Sequence, residues 1–142
     1  MIYEFCAENV TLLEKAMQAG ARRIELCDNL AVGGTTPSYG VTKAAVELAA
    51  DYDTTIMTMI RPRGGDFVYN DLEISIMLED IRLTAQAGSQ GVVFGALTAD
   101  KKLDKANLEK LIAASRGMEI VFHMAFDDLS DEDQLEAIDW LS

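Results

Sequence analysis

Glu25 and Cys27 stand two residues apart inside the apolar string Arg22-Arg23-Ile24-Glu25-Leu26-Cys27, and Glu4 and Cys6 do the same between Ile2 and Cys6. Side chains two apart on a strand share a face, so each pair would put a carboxylate and a thiol on one side of a sheet. Arg61 and Arg63 obey the same spacing across Pro62, and Asp127 follows His123, the only histidine, at matching parity. Ionisable groups in apolar segments are costly to bury unless they pair. Glu25 is therefore expected to form an ionic lining with Arg61 or Arg63.

Three chemistries are open to these residues. Glu25 or His123 could exchange protons, with Asp127 orienting the imidazole. In Arg61-Pro62-Arg63-Gly64-Gly65-Asp66-Phe67 two guanidiniums flank a proline of fixed φ, and Gly64 and Gly65 let backbone N–H groups approach a ligand. That composition suits a carboxylate or phosphate, and without a Gly-Lys-Ser/Thr ending it is not a nucleotide loop. Cys27 would be a nucleophile if Arg61 or Arg63 lowered its pKa. Soft sulfur for copper(I) is available from Cys6, Cys27, Met57 and Met59. The chain has no Cys-x-x-Cys, Met-x-x-Met or His-rich run, and Met57, Met59 and Met77 serve equally well as core filler.

The elements that must position these residues alternate along the chain. Strands are expected at Ile2 to Cys6, Arg22 to Cys27, Thr54 to Arg61, Gly91 to Gly95 and Met118 to Met124, from their β-branched and apolar content. Between them lie a helix capped by Asn9 and ended by Gly20, one from about Val41 through Leu48, one from about Leu72 to Ala87, and one after Asp104 with Leu108, Leu111 and Ile112 on one face. A last helix starts at Ser130-Asp131-Glu132. Gly33-Gly34 and Thr36-Pro37-Ser38 mark Asp28 to Gly40 as a loop. Strict alternation implies an α/β fold with parallel pairing and right-handed crossovers, as an open sheet or a closed barrel. Periodicity does not separate the two.

With 142 residues and 49% hydrophobic content, one domain over 1–142 is expected. A net charge of −12 argues against nucleic acid and anionic membrane, which need clustered Lys or Arg. No apolar run approaches the roughly 20 residues that span a bilayer, and Met1-Ile2-Tyr3-Glu4 is unlike a signal peptide. A cytoplasmic protein with free thiols is the expectation.

The sequence closely resembles the CutC family of copper homeostasis proteins. The resemblance lies in Arg23-Ile24-Glu25-Leu26-Cys27, Gly33-Gly34-Thr35-Thr36-Pro37-Ser38-Tyr39-Gly40, Ile60 to Phe67, Leu78-Glu79-Asp80-Ile81-Arg82, Gly91-Val92-Val93-Phe94-Gly95 and Phe122-His123-Met124-Ala125-Phe126-Asp127. It implies a cytosolic parallel (β/α) barrel of the TIM type, here truncated after about five β/α units, and it implies Cys6, Cys27 and His123 as ligands for copper. The family's last motif reads Phe-His-Arg-Ala-Phe-Asp, so Met124 removes one cation from the site the resemblance implies. A barrel cut short exposes strand edges, and a homo-oligomer is expected. Two functions follow as expectations. One is copper(I) binding; the other is a barrel enzyme on a small anionic metabolite, with Arg61, Arg63, Gly64 and Gly65 holding the substrate and Glu25, His123 and Asp127 doing acid–base work.

Overall fold

A computed structural model describes all residues, 1–142. Five strands, β1 (Glu4–Glu8), β2 (Arg23–Cys27), β3 (Thr55–Met59), β4 (Gly91–Phe94) and β5 (Glu119–Phe122), alternate with five helices, α1 (Leu13–Gln18), α2 (Tyr39–Ala50), α3 (Asp71–Ala87), α4 (Lys105–Ala114) and α5 (Asp131–Leu141). Every pairing is parallel, and the strands lie side by side in chain order, β1-β2-β3-β4-β5. An open doubly wound sheet reverses its strand order at a switch point. Unbroken order with crossovers of one hand keeps every helix on one face, which is how a β/α barrel is wound. The fold is thus five units of a parallel β/α barrel, and no helix is long and apolar enough to cross a membrane.

Alternation along the strands divides the apolar residues into two layers. Ala7, Ile24, Leu26 and Ile56 pack under Leu13, Met17, Ala45 and Ala49 of α1 and α2. Val92 and Phe94 pack under Ile74, Met77, Ile81, Leu108 and Leu111 of α3 and α4. Residues of opposite parity form a second, smaller cluster on the inner face, where Cys27, Met57, Met59 and Val93 are buried with Val121 against them. Each fully buried aliphatic side chain contributes about 1.5–3 kcal/mol, so the helix-covered layer carries most of the stability.

Local signals set the helix ends. Ser38 accepts from the Val41 N–H at 3.2 Å to start α2, and Asn70 and Glu73 form a reciprocal capping box at the start of α3. The first helix differs from expectation. Asn9 takes a left-handed conformation (φ 56°) and donates its N–H to the Cys27 carbonyl at 2.7 Å. It is a turn residue that ties the end of β1 to the end of β2, and α1 begins later, at Leu13. The fifth strand is also shorter than expected, because the chain enters a 3₁₀ turn at Met124–Asp128.

Gly91 marks the tightest packing in the sheet. A Cβ there would collide with the Met57 side chain and come within 2.8 Å of the Glu119 carbonyl oxygen. Because the carbonyl belongs to the neighbouring strand, only a shift of backbone could relieve the clash. Gly91→Ala should lower stability to chemical denaturation by about 1–3 kcal/mol, whereas Gly117→Ala, where the added carbon meets nothing within 4 Å, should show only the cost of its positive φ.

Candidate functional site

The parallel register of β1 on β2 sets Cys6 level with Glu25 and Glu8 level with Cys27. Cys6, Glu25 and Cys27 therefore meet on the inner face, their ligand atoms all within 4.8 Å of one another. The two sulfurs are 4.0 Å apart, and Glu25 Oε1 lies 4.0 Å from Cys6 Sγ and 3.8 Å from Cys27 Sγ. The two thiols differ in access, Cys27 being wholly buried and Cys6 exposed. The cause is the loop after β2, which folds back through the Asp28–Thr35 bridge. Gly34, at φ +92°, passes so close that a Cβ would stand 3.1 Å from the Cys27 sulfur.

Burial and the neighbouring charges raise the pKa of all three groups. Burial, then the charge of Glu25, pushes the Cys6 thiol up. Cys27 is pushed well above the ordinary thiol range by burial, by Cys6 and by Glu25. Burial, then the charge of Glu4, raises Glu25, while Arg23 opposes the shift. The condition for a nucleophilic Cys27, a pKa lowered by Arg61 or Arg63, is not met, because the groups that act on this thiol are Glu25 and Cys6 rather than guanidiniums. The expected ionic lining of Glu25 with Arg61 or Arg63 is corrected. Glu25 bonds the two thiols, and the arginines are engaged elsewhere.

Arg63 pairs with Glu73 at 2.5 Å and Asp66 at 3.1 Å and donates to the Asp66 and Val68 carbonyls. It pins its own loop to the first turn of α3. Arg61 is 3% exposed and donates Nη1 to the Val32 and Gly34 carbonyls (2.7 and 2.9 Å) and Nη2 to the Gly65 carbonyl (2.8 Å). Gly64 packs on Val32 so tightly that a Cβ would meet the valine at 3.0 Å. Both glycines serve the closure of this loop over the turn at Leu30–Val32.

His123 follows β5 directly, with its ring 5.0 Å from Phe67, and its Nδ1 accepts the Ala125 N–H at 3.2 Å. It is not among the groups gathered around Cys6 and Cys27, so the copper role that the resemblance assigned to it finds no geometric counterpart. Asp127 lies in the 3₁₀ turn, exposed and without a hydrogen bond to the imidazole. The same-parity argument failed there because strand alternation stops at Phe122. Burial, then the positive charge of Arg61, lowers the His123 pKa from about 6.5 to about 4. Tyr69 belongs with these residues and was missed by sequence reasoning. Its alternation with buried Phe67 across exposed Val68 was the available signal.

Sheet order, strand parity and a thiol–carboxylate cluster on the inner face define a protein of the β/α barrel class. The CutC family model matches residues 1–141, and the chain belongs to the CutC family. It is 54% identical to a CutC family protein of Enterococcus faecalis over 142 residues, covering 100% of this chain and 68% of that one. It is 55% identical to one of Streptococcus pyogenes over 141 residues, covering 99% and 68%. The crystal structure of a protein from Streptococcus agalactiae named for copper homeostasis, CutC, superposes with a TM-score of 0.95 at 50% identity, covering 99% of this chain and 67% of that one. The chain thus spans about two thirds of the length of these relatives.

The buried histidine makes a stability prediction. Because the folded pKa lies below the unfolded one, the unfolded chain binds more protons between them, so stability falls as pH drops from about 6.5 towards about 4. The loss should be on the order of 3 kcal/mol. His123→Asn keeps an acceptor for the Ala125 N–H and removes the titration. Denaturation of the two proteins across that pH range should diverge from parallel curves above pH 7 to a difference of this size near pH 4.

Proposed function

We propose that the chain binds copper(I) in the reducing interior of the cell through the thiolates of Cys6 and Cys27, with the Glu25 carboxylate as a third donor. The observation that carries this reading is the pair of sulfurs 4.0 Å apart on one sheet face with a carboxylate against both. A single ion with metal–thiolate bonds of about 2.3 Å can bridge that span. Thiolates select soft ions, and Met57 and Met59 add polarisable, water-excluding neighbours to Cys27 on the same face. Structural zinc requires four ligands, whereas the gathered set offers three. The name of the Streptococcus agalactiae relative, which refers to copper homeostasis, agrees with the soft-ion reading. A reducing compartment keeps both cysteines free for it.

The raised thiol pKa values give the uptake a pH signature. Metal binding must expel the protons the thiols hold, so affinity rises with pH through the neutral range, by up to about two tenfold steps per pH unit for two thiols.

Titration of reduced, anaerobic protein with copper(I) against a competing chelator should show one equivalent bound. Cys27→Ser and Cys6→Ser should each abolish it, while Glu25→Gln should weaken it less. Unchanged uptake in both serine variants would overturn the reading.

A further inference from the structure

Arg61 is a buried cation without a counter-ion. It is 3% exposed, takes part in no ion pair, and its side-chain hydrogen bonds all go to backbone carbonyls. A charge withdrawn from water is costly unless an opposite charge compensates it, and Nε of this guanidinium has no hydrogen-bond partner at all. The two other buried side-chain atoms that lack partners are Tyr69 Oη and His123 Nε2, on residues each 7% exposed.

Arg61 and His123 share one stack through Phe67, and the Tyr69 ring lies under the second guanidinium of the same loop, 5.2 Å from Arg63. The Arg61 guanidinium lies over the Phe67 ring at 5.0 Å, and that ring lies 5.0 Å from His123. Burial raises the Tyr69 pKa and the nearby positive charges of Arg61 and Arg63 oppose that rise, while the hydroxyl makes no well-formed hydrogen bond. All three atoms are also donors. His123 Nδ1 accepts the Ala125 N–H, so the neutral imidazole carries its hydrogen on Nε2. Leaving a buried donor unmet costs about 1–3 kcal/mol, and three in one place call for an explanation. A trapped water would satisfy a hydrogen bond and leave the charge of Arg61 uncompensated.

We propose that Arg61 Nε, His123 Nε2 and Tyr69 Oη form an oxyanion site at the C-terminal ends of β3 and β5, taking the carboxylate or phosphoryl group of a small metabolite. This site is separate from the thiol cluster and does not depend on the copper reading. Three donors and one uncompensated positive charge match a group that offers acceptor oxygens and negative charge and no proton. Met124 sits at the rim. Its Sδ and Cε lie with Arg61 Nη1 around Gly33, where a Cβ would meet Met124 Cε at 3.1 Å and Nη1 at 3.3 Å. Met124 thus sets an apolar thioether beside the guanidinium, and because Arg63, over the Tyr69 ring, is paired with Glu73 and Asp66, Arg61 is the arginine here without a carboxylate partner.

The test is the melting temperature of reduced, chelator-treated protein as a function of inorganic phosphate and, separately, of succinate, against potassium chloride at equal ionic strength. A saturable rise with one anion and none with chloride is expected; the effective anion tells phosphoryl from carboxylate. Tyr69→Phe should weaken that affinity about ten- to hundredfold, the loss of one hydrogen bond to a charged group, while melting no lower than the parent without anion. Met124→Arg should tighten binding, and Cys6→Ser should leave it unchanged. The proposal is overturned if neither anion acts beyond chloride, or if Tyr69→Phe melts lower without anion and responds to it as the parent does.

Discussion

Three hydrogen bonds from one guanidinium hold the functional end of this sheet in place. Arg61, two residues past β3, gathers the carbonyls of Val32, Gly34 and Gly65, joining the loop after β2 to the loop after β3. The position of Gly34 over the Cys27 sulfur follows from that tie, and so does the seat of Phe67 between Arg61 and His123. A neutral side chain of the same size could not satisfy three carbonyls from separate segments, and a lysine lacks the planar fork that reaches them in one plane. The thiol cluster and the donor cluster therefore share a single mechanical support.

Sheet geometry then divides the labour between the two faces. The helix-covered face holds long aliphatic and aromatic residues and supplies the burial that keeps the units together. The inner face is left to smaller and softer side chains, Cys27, Met57, Met59 and Val93, next to the carboxylate of Glu25. Parallel pairing with no bulge means that a residue's level along its strand is inherited by its neighbour, so Cys6 and Glu25 meet by register alone. The unequal burial of the two thiols adds direction to the site, with Cys6 as the accessible partner and Cys27 as the enclosed one.

Charge is handled differently at the surface and inside. Lys43 with Glu47, Arg82 with Glu79, Lys102 with Asp133 and Lys105 with Glu136 pair in solvent, where water and salt screen each pair and it adds little to stability. Arg63, next in the same loop to Arg61, is neutralised by Glu73 and Asp66. In a chain with a net charge of −12, acids are plentiful, and yet none reaches Arg61. The uncompensated charge is a property of place rather than of composition.

The alternation of strand and helix, the helix start at Ser130 and the pairing of Glu25 with Cys27 on one face were all legible in the amino-acid sequence, because each depends on residues close together in the chain. The choice of barrel over open sheet was carried by resemblance and is now explained by strand order, which no local signal encodes. What the tertiary structure alone decided is which distant groups meet. Glu25 met thiols instead of arginines, because the register of β1 on β2 brought Cys6 to its level while the fold of the loops drew Arg61 to carbonyls and Arg63 to α3. Asp127 parted from His123, because the imidazole itself caps a 3₁₀ turn that ends the alternation. Local chemistry determined which side chains could act; long-range register and loop closure, set by packing across the whole sheet, determined which of them stand together.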